Sequence, residues 1–174
     1  MEKIITVFGS SQIKPSELHY KKAEEIGKIL AENKFTICSG GYGGIMQAVS
    51  KGAKSVNGKT IGITLDKSNR TPNEYLDENV IMPNWVERLM ELIAIGDAYI
   101  IFKGGSGTLV ELSSLVEMMN KKIMKEKNMI FYTNFWKNAI NIIKNESPSL
   151  NKVIEKRVFF ISKVQEISNL LKKI

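Results

Sequence analysis

Short apolar runs alternate with longer amphipathic stretches along the whole chain. Ile4–Phe8 is a β-branched run and predicts a buried strand. Leu18, Ala23, Ile26, Ile29 and Leu30 recur at helical spacing, with Lys and Glu between them. Phe35–Cys38 predicts a second strand. Residues 44–54 predict a helix, with Ile45, Ala48, Val49 and Ala53 as its apolar stripe. Thr60–Leu65 predicts a third strand, and the polar stretch Asp66–Asn79, which holds Pro72 and Asn73, a surface loop. Val80–Met82 predicts a short strand, Asn84–Ile95 a helix, Ala98–Phe102 the strongest strand and Thr108–Asn120 a helix. Met129–Tyr132, Phe135–Lys144, Val158–Ile161 and Val164–Leu171 continue as strand, helix, strand and helix.

Strands that are apolar throughout and alternate with helices indicate a parallel sheet covered on both faces. The expected fold is therefore α/β: a Rossmann-like, doubly wound parallel sheet with right-handed crossovers. At 174 residues the chain fits a single domain over 1–174. In this architecture ligands bind at the carboxyl edge of the sheet, where strand order reverses. The search for a site narrows to the loops that follow strands.

Three of those loops are unusual. The first strand ends in Gly9-Ser10-Ser11. The second ends in Ser39-Gly40-Gly41-Tyr42-Gly43-Gly44, directly before a helix. The central strand ends in Lys103-Gly104-Gly105-Ser106-Gly107-Thr108, again before a helix. Glycines let backbone N–H groups converge on a ligand, and a helix N-terminus adds free donors and partial positive charge. Two such loops on one edge suit phosphate. Neither matches G-x-G-x-x-G, so a dinucleotide site is a poor fit. Gly58-Lys59-Thr60 enters a strand and is no P-loop.

Two charged residues stand near these loops. Glu111 lies one helical turn beyond Gly107 and shares its face. Its plainer role is a helix-capping carboxylate. Arg88, one of three arginines, precedes the central strand; its plainer role is an i,i+3 ion pair with Glu91.

Composition removes other chemistries. With one histidine, His19, and one cysteine, Cys38, no intramolecular disulfide can form. Most zinc sites and every His-dependent triad would have to run through His19, which reads as a solvated surface residue. Cys38 reads as a buried strand cysteine. The absence of an export signal points to the cytoplasm, and no run reaches the ~18–20 apolar residues of a membrane span. The net charge of +7 is uneven. Residues 1–120 carry 13 Lys+Arg against 14 Asp+Glu, whereas 121–174 carry 12 against 4. The basic third lacks interleaved aromatics, so a solvated lysine face is expected and no specific nucleic-acid partner.

Gly104-Gly105-Ser106-Gly107-Thr108-Leu109-Val110-Glu111 resembles the PGGxGTxxE motif of the LOG (Lonely Guy) family, often labelled "lysine decarboxylase-like". Residues 39–46, SGGYGGIM, resemble its second motif, GGGxxGLM. Asp97–Phe102 resembles the preceding strand, and Arg88 falls where the family's motif arginine falls. The resemblance spans nearly the whole chain. It implies a phosphoribohydrolase that cleaves the N-glycosidic bond of a nucleoside 5′-monophosphate, AMP or a cytokinin ribotide, to free base and ribose 5-phosphate. It implies Arg88 and Glu111 as catalytic residues. Gly104, Gly105, Ser106, Gly107 and Thr108 would hold the phosphate, aided by Gly9, Ser10, Gly40 and Gly41. No metal or organic cofactor is implied. Two positions depart from the family pattern: Lys103 replaces the proline before Gly-Gly, and Leu89 replaces the lysine after the arginine. The alternative on the same fold is a non-catalytic carrier of a nucleotide or of molybdenum cofactor. The resemblance also implies a homodimer, for which Met118, Met119 and Met124 offer an apolar contact surface.

Overall fold

The computed structural model describes residues 2–174. Seven strands form one all-parallel sheet in the order β4-β3-β2-β1-β5-β6-β7. They are β1 (Ile4–Phe8), β2 (Thr36–Ser39), β3 (Thr60–Leu65), β4 (Glu78–Met82), β5 (Ala98–Ile101), β6 (Asn128–Tyr132) and β7 (Val158–Ile161). The helices are α1 (Leu18–Glu32), α2 (Ile45–Lys54), α3 (Trp85–Ile95), α4 (Ser106–Asn120), α5 (Lys137–Glu146), α6 (Asn151–Arg157) and α7 (Ile167–Leu171). This is the doubly wound Rossmann-like arrangement that the alternating pattern predicts.

Successive strand residues point to opposite faces, so each strand feeds two cores. On one face Ile5, Val7, Ile100 and Ile130 pack with α1, α2 and α7. On the other Phe8, Tyr99, Ile101 and Phe131 pack with α3, α4, α5 and α6. Burial on both faces explains why β1, β5 and β6 read as unbroken apolar runs. Where α1 crosses α2, the backbones touch. A Cβ added at Gly27 would collide with the carbonyl of Val49, and one at Gly52 with that of Glu24.

Several expectations change. α6 was not predicted: NKVIEKR is too short to show a helical period, and it sits just after a 3₁₀ turn at Pro148–Leu150. β4 starts two residues before its apolar portion, because Asp77 fastens the approach through Thr60 and Lys54. His19 is half-buried rather than a freely solvated residue. Its ring meets Tyr132 edge-on at 6.0 Å, and its buried Nδ1 has no hydrogen-bond partner. Burial, and then the positive charge of Lys103, lower its pKa. Met119 is buried, while Met118 and Met124 pack against the same core, so these methionines serve the protein's own interior. Cys38 is fully buried, as expected, and burial pushes its thiol up to about 12. No helix is long and apolar enough to cross a membrane among the described residues.

Replacing Gly52 with Ala forces α1 and α2 apart. We expect a loss of about 1–3 kcal/mol, the usual cost of overpacking, read as a lower denaturant midpoint at unchanged slope.

Candidate functional site

The strand order reverses between β1 and β5. The loops leaving these strands flank the crevice where an open α/β sheet takes its ligand. They are tied together: Ser10 N–H donates to Lys103 O at 3.0 Å. The loop after β2 locks onto the same place, because Ile45 N–H donates to Ser10 O at 3.0 Å. Gly44 turns this corner at φ +68°, where a Cβ would strike the carbonyl oxygen of Ser10. Three chain-distant loops therefore enclose one cleft of about 390 Å³ at the carboxyl edge.

One end of the cleft is the N-terminus of α4. Gly105 is its N-cap, and no side chain caps the helix. The first intrahelical bond there runs from Leu109 N–H to Gly105 O at 3.0 Å. The N–H groups of Ser106, Gly107 and Thr108 thus lack helical partners. A Cβ added at Gly105 or Gly107 would meet nothing within 4 Å. Neither glycine is required by packing; their openness leaves the backbone accessible to an anion. Gly104 differs, since a Cβ there would collide with the Thr108 side chain.

Glu111 and Arg88 face each other deeper in the cleft. Glu111 is the sixth residue of α4, beyond reach of the uncapped first turn, so it does not cap the helix. Burial raises its pKa to about 7, against the opposing pull of Arg88. Arg88 makes no ion pair with Glu91 among the described residues. Its Nε donates to Ile63 O at 2.7 Å and its Nη2 to Gly40 O at 3.0 Å. Two of the five guanidinium N–H donors are spent on backbone carbonyls, which fix the plane of the group. Burial lowers the Arg88 pKa, and the nearby Glu111 opposes that shift.

Of the residues singled out in the sequence, Gly9, Ser10, Gly105, Ser106, Gly107, Thr108, Arg88 and Glu111 line this cleft. Gly40 and Gly41 stand behind its wall, and Gly104 opens instead on a neighbouring hollow with Ile13, Lys103 and Phe135. A Cβ at Gly40 would overlap the Arg88 guanidinium, and Gly41 turns at φ +77° against Thr64. Sequence reasoning missed Tyr42, Arg70 and Trp85, which also line it. Tyr42 is buried and its hydroxyl accepts from Leu65 N–H at 3.0 Å. The Arg70 guanidinium lies 4.2 Å above the Tyr42 ring and that of Arg88 5.5 Å from it. The available signals were an aromatic inside a glycine loop and a rare arginine in a polar one. Among the described residues no group of three or more His, Cys, Asp or Glu is placed to hold a metal ion.

A doubly wound sheet with an open helix N-terminus and an Arg–Glu pair at its switch point defines a Rossmann-like protein with a cleft at the carboxyl edge of its sheet. The chain belongs to the SLOG cluster4 family, whose model matches residues 2–157. A protein of Archaeoglobus fulgidus is 31% identical over 109 residues, 63% of this chain and 70% of that one. The pyrimidine/purine nucleotide 5′-monophosphate nucleosidase of Escherichia coli is 29% identical over 133 residues. That match covers 71% of this chain but only 29% of the enzyme. The molybdenum cofactor binding protein of Rippkaea orientalis superposes with a TM-score of 0.77 at 23% identity, covering 99% of this chain and 97% of its own. These comparisons bear out a LOG-like family and fold.

The raised pKa of Glu111 has a consequence for stability. The folded protein holds this proton up to about pH 7, whereas an unfolded glutamate loses it near ~4.3. Between those values the native state binds more protons, so this contribution to stability falls as pH rises. Glu111→Gln should flatten that decline, leaving the variant more stable than the parent relative to acidic pH when both are melted at pH 5 and pH 8.

Proposed function

We propose that the protein is a nucleoside 5′-monophosphate phosphoribohydrolase that releases free base and ribose 5-phosphate. The observation that carries this reading is the carboxylate of Glu111 opposite a fixed guanidinium, one turn from an uncapped helix N-terminus. The related E. coli nucleosidase supports it. AMP and cytokinin ribotides are the proposed substrates, and the proposed setting is a cytoplasmic homodimer.

The chemistry follows from the layout. A 5′-phosphate held by the N–H groups of Ser106, Gly107 and Thr108 directs the ribose along the cleft toward Glu111. Cleavage of the C1′–N bond develops an oxocarbenium-like charge, which a nearby carboxylate stabilises. Glu111 takes one proton of a water whose oxygen bonds to C1′, and the base departs with the C1′–N bonding pair and takes a proton from solvent. A base of pKa about 7 is matched to neutral pH. Arg88, immobilised by Gly40 O and Ile63 O, orients the ribose with its remaining donors. No step needs a metal or an organic cofactor.

A carrier would use the same cleft without turnover, and the molybdenum cofactor binding protein shares the fold. Incubation with a panel of nucleoside monophosphates, followed by chromatography for free base, separates the two. Release of base from AMP is the expected result.

Glu111→Gln keeps the size of the side chain and removes its charge. Nucleotide binding should persist, while turnover falls by ~10²–10⁴, the range for loss of a positioned acid–base group. In the parent, kcat/KM should rise with pH through about 7 and then level off. An unchanged rate of base release in the variant would remove Glu111 from the mechanism.

Sedimentation at micromolar concentration should show a dimer burying more than ~1,000 Å². The exposed Trp85, Val86, Met90 and Leu109 offer an apolar surface for it in place of the core methionines.

A further inference from the structure

The loop between β3 and β4 is fixed at its ends and free at its tip. Asp66 N–H donates to Met82 O at 2.8 Å, and Asp77 N–H to Thr60 O at 3.1 Å. Asn73 clamps the returning limb to the β2 loop. Its backbone N–H donates to Gly41 O at 2.8 Å, and its side chain donates to Gly41 O and Tyr42 O at 3.0 and 3.1 Å. Among the described residues, the only hydrogen bonds between Asp66 and Asn73 are local: Lys67 N–H to Asp66 and Arg70 N–H to Ser68 Oγ. Among the described residues the tip makes no hydrogen bond to another element, yet Ser68 and Arg70 both line the cleft.

Arg70 is also the cation in the cleft without a polar partner. Arg157 pairs with Glu126, and Arg88 is spent on two carbonyls. Arg70 is exposed, makes no ion pair among the described residues and rests on the Tyr42 ring. A guanidinium over an aromatic face keeps its N–H edge free, and a bidentate pair with phosphate is stronger than that contact. Of the cleft-lining residues the sole carboxylate is Glu111, so two guanidiniums face one acid.

We propose that Arg70 is a substrate-binding residue that leaves the Tyr42 face to clasp the 5′-phosphate seated at the α4 N-terminus, making the site selective for phosphorylated over unphosphorylated nucleosides. This rests on the nucleotide reading of the cleft. It adds a side-chain grip on the face of the phosphate opposite the backbone donors. The tip can make this shift because only its ends are tied.

The test is binding, measured by calorimetry with ribose 5-phosphate, AMP and adenosine on the parent, Arg70→Ala and Arg70→Lys. Arg70→Ala should weaken ribose 5-phosphate and AMP about 10- to 100-fold, the range for a charge-assisted hydrogen bond, and leave adenosine unchanged. Arg70→Lys should fall between, since a lysine keeps the charge without the fork. Melting temperatures should agree among the three proteins. Equal losses for AMP and adenosine would overturn the proposal in favour of base stacking, and unchanged ribose 5-phosphate affinity in Arg70→Ala would reduce Arg70 to a cover for Tyr42. Failure of the parent to bind ribose 5-phosphate would also overturn it. Base release is scored separately: Arg70-dependent binding without turnover upholds the proposal and removes the hydrolase.

Discussion

The cleft depends on how one half-buried cation is satisfied. A guanidinium withdrawn from water must find acceptors, and Arg88 finds them in the carbonyls of Gly40 and Ile63. Those oxygens lie at the ends of neighbouring strands, so the helix carrying Arg88 is pinned to the carboxyl edge of the sheet. The same demand fixes the sequence around it. A Cβ at position 40 would overlap the guanidinium where it now sits, so glycine there lets it reach the carbonyl. The β2 loop must then double back through Gly41 and Gly44, which carries Tyr42 beneath the cleft. Much of what reads as a phosphate-binding motif is thus a cradle for an arginine.

Glu111 completes the balance. Its carboxylate shares the buried surroundings of Arg88, yet burial outweighs the attraction and leaves it easily protonated. The pair is therefore not a quenched salt bridge. Arg88 is already bonded elsewhere, so the acid remains available for chemistry. Placing both groups at the point where strand order reverses puts them beside the open turn of α4, with no further machinery required.

The fold was legible because most elements carry a clear period. β1, β5 and β6 are apolar on both faces, and α1 and α2 show stripes that match their buried sides. α6 was hidden because seven residues hold too few turns to show a stripe. His19 was misjudged because its polar neighbours said nothing of Tyr132, more than a hundred residues away. The site was legible where glycine and charge share a motif, as at Gly105–Glu111. It was illegible where loops meet across the sequence. Nothing in the stretch around Arg70 announces that it folds over Tyr42, and nothing in SGGYGG shows that its tyrosine lines the cleft while Gly40 makes room for Arg88.

The single thiol has a use that follows from its place in the sheet. Cys38 sits in β2, hydrogen-bonded between β1 and β3, with helices over both faces and no solvent exposure. Its reactive thiolate is suppressed by burial at neutral pH. Its side chain lies in the core between the sheet and α3, with Leu92 and Ile93, so an alkylating reagent reaches it only when α3 lifts from that face or the sheet itself opens. The chain therefore carries an internal reporter for the opening of its core. The rate of Cys38 modification measures how often the α3 layer or the sheet beneath it opens.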